Sequence, residues 1–155
     1  MGTSIDTRVE VRTADGWRTS DLTALNDGNY GIYGFLADVR NYSHSPVIAE
    51  PRGLPDDVDM TAEEREDWGD GWQHSASWLT LAELLAFDYE QVFWDRRIER
   101  EIAPGCIDGA ALAEEGEGEH VTMRDFLGEW YFGQLEMLGT LGTPEDVRIV
   151  FWFDS

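Results

Sequence analysis

The sequence contains no lysine: its eleven basic residues are all arginine, and they face 32 acidic residues. The net charge of −21 lies far beyond the ~2–8 common in small soluble domains. Three interpretations are open. The charge is an adaptation to a salty cytoplasm or a biased genome, it mimics a nucleic acid towards a basic partner protein, or it repels nucleic acids and anionic membranes. Under all three, direct nucleic-acid binding is not expected, because such binding needs a basic surface that displaces counterions.

Cysteine and long apolar segments are also scarce. Cys106 is the single cysteine, which excludes an intrachain disulfide and a cysteine-based zinc site. No apolar run approaches the roughly 20 residues that span a bilayer, and the amino terminus lacks the basic-then-apolar pattern of a signal peptide. We therefore expect a cytoplasmic protein without membrane association.

Motifs for metals and cofactors are missing as well. The acidic clusters at 56–59 and 114–119 lack the spacing of an EF-hand loop, and runs of this kind are usually solvated surface. No Gly-x-Ser-x-Gly elbow is present. We therefore expect neither a metal nor a cofactor.

The apolar and aromatic content of the sequence is sufficient for a folded domain. Its 155 residues are 42 % apolar and include seven Trp, five Tyr and seven Phe, enough for one domain with a substantial core. Apolar and polar residues alternate over 5–11, which predicts a half-buried strand, and Trp17 begins a second one after an Asp-Gly turn. Residues 147–153 are predicted to form a final strand, and because 149–153 are apolar without alternation, this strand should be covered on both faces. We predict a single α+β domain over 1–155, with an antiparallel or mixed sheet, strands at both ends and helices mainly on one face.

Helix signals lie between the terminal strands. A helix should end near Arg40, and residues Thr61, Thr80 and Thr122 begin three more, two of them with capping boxes. In the helix after Thr80, Leu81, Leu84 and Leu85 are expected to pack inward. The 89–102 segment favours strand. The 41–60 segment is predicted to be an irregular loop and the 103–119 segment an acidic solvated loop.

The stretch from 40 to 80 is dense in groups that bind ligands. We select as ligand-binding candidates Arg40, Asn41, Arg52, His74, Ser75, Ser77 and Trp78. Arginine holds carboxylates and phosphates through two parallel hydrogen bonds, and tryptophan can stack on a ring. The two serines should share one strand face. The competing interpretation is structural, because Arg40 or Arg52 could simply pair with Glu50, Asp56 or Asp57.

Four segments carry a resemblance: Met1-Gly2 with Ile5, Val39-Arg40-Asn41, Ile48 to Asp57, and His74 to Thr80. The chain resembles a family of small, mostly uncharacterised proteins of bacteria, archaea and their phages. Those proteins begin Met-Gly-Cys-Asp-Ile-His and share Glu-Pro-Arg-Gly-Leu-Pro-Asp-Asp and His-Ser-x-Ser-Trp-Leu-Thr motifs. The resemblance implies a site in these motifs without naming its chemistry. Here Thr3, Ser4 and Asp6 replace the family's Cys, Asp and His, which favours binding over catalysis.

Three classes of function remain. The first is a binding protein that sequesters or senses a small anionic, nucleotide-like molecule held by Arg40, Arg52 and His74. The second is a hydrolase or phosphoesterase in which His74 acts with Asp6 or Asp57. The third is an acidic nucleic-acid mimic that inhibits a basic protein. Self-association into a homo-oligomer is compatible with each. The binder predicts that at least two of its three named residues meet in one pocket.

Overall fold

The computed structural model describes residues 2–69, 71–114 and 117–155. Met1, one residue of the resemblance, and residues 115 and 116 of the acidic cluster at 114–119 lie outside these ranges. The strands of the described chain are β1 Ser4–Thr13, β2 Gly16–Thr19, β3 Gln73–Thr80, β4 Val92–Asp95, β5 Arg97–Ala103, β6 Cys106–Leu112, β7 Glu119–Thr122 and β8 Val147–Asp154. The helices are α1 Tyr30–Ala37, α2 Ala62–Asp67, α3 Leu81–Ala86 and α4 Met123–Gly139, and a 3₁₀ turn spans Pro144–Asp146.

An antiparallel four-stranded sheet in the order β2-β1-β8-β3 forms the centre of the fold. The two terminal strands lie side by side in its middle, with Ile5 opposite Phe153 and Val11 opposite Val147. The predictions of an α+β fold with strands at both ends are therefore confirmed. Two further pairs, β4 with β7 and β5 with β6, form separate two-stranded sheets.

Three helices cover one face of the central sheet. The core cluster combines side chains of α1, α3 and α4 with inward residues of the strands, such as Val9, Leu79 and Phe151. Short α2 has no buried residue, and its Glu64 lies beside Arg8 on β1. Helices thus pack mainly on one face, as the patterns predict.

The 41–60 loop covers part of the opposite face. Along a strand, alternate side chains point to opposite faces, so Glu10 and Arg148 lie across the sheet from the helices. Arg148 Nε donates to Glu10 Oε1 at 2.7 Å, and both side chains are almost fully buried. From the loop, the amide of Asp59 donates to Glu10 Oε2 at 2.6 Å. This cover explains why β8 is buried on both faces: only Trp152 and Asp154 of the strand are partly exposed.

Local sequence signals account for the helix starts. Thr61 and Thr80 form the predicted capping boxes with Glu64 and Glu83, and Thr122 accepts from the amide of Asp125. Each cap satisfies an amide that the first turn of a helix leaves without a partner.

Two predictions about elements are wrong. The 103–119 segment is not a solvated loop, because β6 pairs with β5 in a hairpin and β7 begins at Glu119. Its charge and glycine content masked the strand-forming run around Ile107. Leu85 does not pack inward: it is 52 % exposed. Helix α3 has only six residues, and Leu81 and Leu84 already occupy its inner face.

In the described chain, no helix combines the length and apolar character needed to cross a membrane. Within the same residues, His, Cys, Asp and Glu side chains form no group of three that could hold a metal ion.

Candidate functional site

The turn that follows α1 has an unusual backbone. Asp38, Arg40 and His44 adopt positive φ angles of 59°, 51° and 54°. The left-handed region costs an L-residue roughly 1–2 kcal/mol. Asp and His are found there more often than most residues, whereas Arg40 has no such preference. Backbone strain of this kind clusters at ligand sites and switches. Three such residues within seven mark this turn as a candidate site.

A cavity of about 660 Å³ lies at this turn. Its lining residues are Asp38, Arg40, Asn41, Tyr42, His44, Ser45 and Val47. The volume falls within the roughly 300–1,000 Å³ of small-molecule sites. We call it the Arg40 cavity.

Asn41 shapes the wall of the Arg40 cavity. Its Nδ2 donates to Asp38 Oδ1 at 2.9 Å and to the Ser45 carbonyl at 3.0 Å. Its Oδ1 accepts from the amide and the hydroxyl of Ser45. A Cβ at Gly34 would lie 2.8 Å from Asn41 Oδ1, so glycine is required beneath this side chain. Both N–H groups and the oxygen of the Asn41 side-chain amide are hydrogen-bonded within the turn. Asn41 therefore stabilises the shape of the turn, and its side chain has no N–H donor left for a ligand.

Arg40 is held by neutral groups. Its Nε donates to Thr3 Oγ1 at 2.9 Å and its Nη1 to the hydroxyl of Tyr42 at 3.0 Å. The hydrogen bond that Arg40 donates to the Tyr42 hydroxyl is the main cause of the raised pKa of Arg40. Within the described part of the chain, no carboxylate forms a salt bridge with this guanidinium. Six other arginines do form such pairs: Arg8, Arg12, Arg52, Arg100, Arg124 and Arg148.

A chain of hydrogen bonds joins Arg40 to His74. Thr3 Oγ1, which accepts from Arg40, lies 2.9 Å from Ser155 Oγ. Ser155 Oγ in turn lies 2.8 Å from His74 Nε2, and His74 Nδ1 lies 3.0 Å from Ser75 Oγ. Two residues that the sequence selects from separate motifs are therefore connected through residues near the ends of β1 and β8. His74 and Arg52 are not among the residues that line the Arg40 cavity.

Ser75 and Ser77 do not share a strand face as predicted. The register of β3 against β8 shifts between His74 and Ser77, and Ser75 has a φ of 54°. This bulge breaks the alternation on which the prediction depends. The Ser77 hydroxyl is buried and accepts from the amide of Arg52 at 3.0 Å, so it anchors the 41–60 loop.

A second cavity, of about 550 Å³, lies between the 41–60 loop and the sheet. Five of its lining residues alternate in a row of cation–π contacts. The Cζ atoms of Arg12 and Arg148 lie 5.0 and 4.1 Å from the ring centre of Trp17. The Cζ atoms of Arg148 and Arg52 lie 5.8 and 4.8 Å from the ring centre of Trp78. We call this arrangement the Arg/Trp row.

Carboxylates already neutralise each arginine of the Arg/Trp row. Arg52 grips Glu83 with both terminal nitrogens, at 3.0 and 2.5 Å, and this contact is the main cause of the lowered pKa of Glu83. Arg12 pairs with Asp146 at 3.0 Å. Arg148 pairs with buried Glu10 and with Asp57. The partner of Arg52 is thus Glu83, a residue that the sequence interpretation did not consider.

The two carboxylates selected for catalysis, Asp57 and Asp6, contact residues other than His74. Asp57 accepts from Arg148 at 2.9 Å. Asp6 lies beside Asp154, and burial, followed by the hydrogen bond to that carboxyl, raises the pKa of Asp6. Within the described chain, the hydrogen-bond partners of His74 are the hydroxyls of Ser75 and Ser155, and its ring stacks on Phe153.

Sequence reasoning missed several participants. Thr3, Ser155 and Tyr42 carry no motif signal of their own, although the pairing of the two terminal strands would have predicted Thr3 beside Ser155. Arg148 did carry a signal, because a charged residue inside the apolar β8 segment needs a buried partner.

Comparisons with known proteins add no function to this geometry. No protein-family model, no curated protein and no solved structure matches the chain.

Proposed function

We propose that this protein binds a small anionic molecule in the Arg40 cavity. The observation that carries the proposal is the environment of Arg40, whose guanidinium lines a cavity and is bonded to Thr3 and Tyr42 hydroxyls. A chain with a net charge of −21 repels anions over most of its surface. Such a surface favours anion binding at a cation like Arg40, which forms no salt bridge with a carboxylate of the described residues.

The hydrogen-bond inventory of Arg40 supports this role. A guanidinium has five N–H donors, and two of them are given to Thr3 and Tyr42. The remaining donors can form the parallel pair of bonds that a phosphate or carboxylate accepts. The contacts with the two hydroxyls fix the orientation of the Arg40 guanidinium before a ligand binds, which lowers the entropy lost on binding.

The Arg/Trp row is a weaker candidate for the same ligand. An anion that binds there must compete with Glu83, Asp146 or Glu10 for its arginine. The Glu10–Arg148 pair is buried, and separating such a pair leaves an uncompensated charge, at a cost of about 3–5 kcal/mol. We therefore assign a structural role to Arg52 and Trp78.

The ligand class follows from the remaining walls of the Arg40 cavity. Tyr42 and His44 line this cavity together with Arg40, and Asp38 and Ser45 add polar groups to it. A phosphate joined to a planar ring, as in a nucleotide, matches a charged group next to aromatic side chains. The geometry gives less support to a hydrolase, because the recorded partners of His74 in the described chain are serines rather than a carboxylate. The acidic-mimic hypothesis rests on composition alone.

Calorimetric titration with adenosine monophosphate, adenosine and inorganic phosphate tests the proposal. Arg40→Gln should weaken binding of the monophosphate about 10- to 100-fold, the loss expected for charged hydrogen bonds. Its melting temperature should change little, since the side chain is not part of the core cluster. Adenosine alone should bind weakly to both proteins.

Arg52→Gln is the matched control, because it removes the same charge from the other cavity. It should leave the affinity unchanged and destabilise the fold by up to about 1 kcal/mol through loss of the partly exposed Glu83 pair. Unchanged affinity in Arg40→Gln, with a loss in Arg52→Gln, would contradict the proposal and move the site to the Arg/Trp row. If none of the three compounds binds to the parent protein, the proposed ligand class is wrong.

A further inference from the structure

The hairpin formed by β5 and β6 projects from the fold as an arm. At its base, the amide of Arg96 donates to the Ser43 carbonyl and the amide of Ala113 to the Arg96 carbonyl. Beyond these bonds, β5 pairs with β6 and, within the described chain, no third strand joins them. A two-stranded hairpin is marginally stable by itself in water. The arm therefore has the form of an element that is completed by another surface.

The arm exposes apolar side chains that the body of the protein does not cover. Ile102, Ile107 and Leu112 are 64 %, 58 % and 43 % exposed. A single exposed apolar residue is ordinary, whereas three on one short hairpin with free edges resemble a contact surface. Unpaired strand edges readily add a further strand.

Charge distinguishes the two edges of the arm. Strand β5 carries Arg97, Glu99, Arg100 and Glu101, and charges of this kind discourage strand addition. Strand β6 has the sequence Cys-Ile-Asp-Gly-Ala-Ala-Leu, in which Asp108 is the one charged residue. The β6 edge is therefore the edge suited to pairing.

Charge also indicates the partner. The 97–112 arm has a net charge of −1, while the rest of the chain carries the other −20. A basic protein would be attracted to the acidic body rather than to this nearly neutral arm. For a second copy of the chain the constraint is different: two molecules of charge −21 repel each other, and the repulsion is smaller where the surfaces in contact carry little net charge. The nearly neutral arm lets two copies meet without placing acidic surfaces together.

We propose that two copies of this protein associate through their arms, with β6 of one copy antiparallel to β6 of the other. The two hairpins then form a four-stranded sheet around a two-fold axis, the commonest symmetry of dimers. Such an edge-to-edge contact is small, and the bodies of the two molecules still repel each other, so the dimer is weak at low salt and strengthens as salt screens the charge. The proposal is independent of ligand binding at Arg40.

Sedimentation equilibrium over a range of protein and salt concentrations tests the association. The parent protein should reach a dimer, with an affinity that rises with KCl. Ile107→Asp should weaken the dimer about tenfold or more, because two-fold symmetry places the new charge in the interface twice. The matched control is Leu85→Asp, which adds the same charge at an exposed leucine of α3.

Cys106 allows a second, geometric test. It is exposed at the start of β6 and is the only cysteine of the sequence, so a spin label attached to it reports on one known position per copy. Full antiparallel overlap of two seven-residue strands places the two Cys106 Cα atoms about 20 Å apart. A dipolar coupling that corresponds to a distance near this value, lost in Ile107→Asp, supports the arrangement. A monomer at every concentration, or equal weakening by Leu85→Asp and Ile107→Asp, would overturn it.

Discussion

Thr3 and Ser155 show how two hydroxyls can fix the proton of an imidazole. Arg40 can only donate to Thr3, which leaves the Thr3 proton free to point to Ser155 and the Ser155 proton to point to His74 Nε2. His74 Nδ1 must then carry the proton and donate to Ser75. A consistent direction along the chain satisfies every group, which makes this tautomer the expected one.

We accordingly predict that neutral His74 is protonated on Nδ1. Long-range proton–nitrogen NMR spectra distinguish the two tautomers by the shifts of the ring nitrogens. Thr3→Val keeps the shape of the side chain but breaks the relay, so the preference for Nδ1–H should weaken in this variant. A proton on Nε2 of His74 in the parent protein would show that Arg40 does not set the direction of these hydrogen bonds.

Asp6 provides a pH-dependent prediction. Its pKa is raised, first by burial and then by the neighbouring Asp154 carboxyl, so its charged form is disfavoured in the folded protein. A raised carboxyl pKa means that the folded state holds its proton more tightly than the unfolded state does. The resulting stability is present at low pH and is lost as the pH rises through the folded pKa.

Asp6→Asn should therefore be more stable than the parent at neutral pH, by at most about 1 kcal/mol because the site is partly solvated. The difference should vanish as the pH falls below the ordinary pKa of Asp. Urea denaturation of both proteins at several pH values measures this difference. A variant that is less stable than the parent at neutral pH would mean that Asp6 forms a favourable contact in its charged form.

Among the elements, the 41–60 loop is the one whose position depends on a buried charge. Arg148 and Glu10 hold each other beneath it, and Glu10 also accepts from the amide of Asp59. Removing one member of such a pair leaves the other buried and unpaired. The loop is thus held to the sheet by a buried ion pair, and replacing only one of its two residues leaves the other charge without a partner.

Arg148→Met should destabilise the fold by about 3–5 kcal/mol, while the double variant Glu10→Leu with Arg148→Met should recover much of that loss. Recovery stays incomplete because the Asp59 amide loses its acceptor. Chemical denaturation measures all three proteins. Equal losses in the single and double variants would indicate that packing against Trp17, rather than charge, accounts for the effect of Arg148.

Elements with local signals were predictable, and elements with distant partners were not. Thr61 and Thr80 specify helix starts through residues three positions away, and the 5–11 alternation specifies a strand by itself. The β5–β6 hairpin was missed because its pairing overrides the local preference of a segment rich in Gly and Glu.

At the site, the sequence selected Arg40 and His74 but could not reveal Glu83 as the partner of Arg52, since residues 31 positions apart meet only through the fold. The Ser75 bulge is likewise a property of the pairing with β8.

At the scale of the whole molecule, charge is the dominant feature. Self-repulsion among the charges that make up −21 destabilises the compact state, and salt screens it as the Debye length falls to about 3 Å at 1 M. The melting temperature should therefore rise with KCl. A flat dependence would show that pairs such as Arg12–Asp146, which salt also weakens, offset the repulsion. Choline chloride and KCl should act alike, because the effect depends on ionic strength.

Anion binding at Arg40 is tested most directly by an NMR titration of the arginine Nε–H signals with adenosine monophosphate. The three arginines of the Arg/Trp row serve as internal references in the same spectrum. We expect the Arg40 Nε–H signal to shift and saturate, together with the backbone amides of Tyr42 and His44, while Arg12, Arg52 and Arg148 stay in place. Saturable shifts at Arg52 or Arg148, with Arg40 unmoved, would contradict the assignment of the site to the Arg40 cavity.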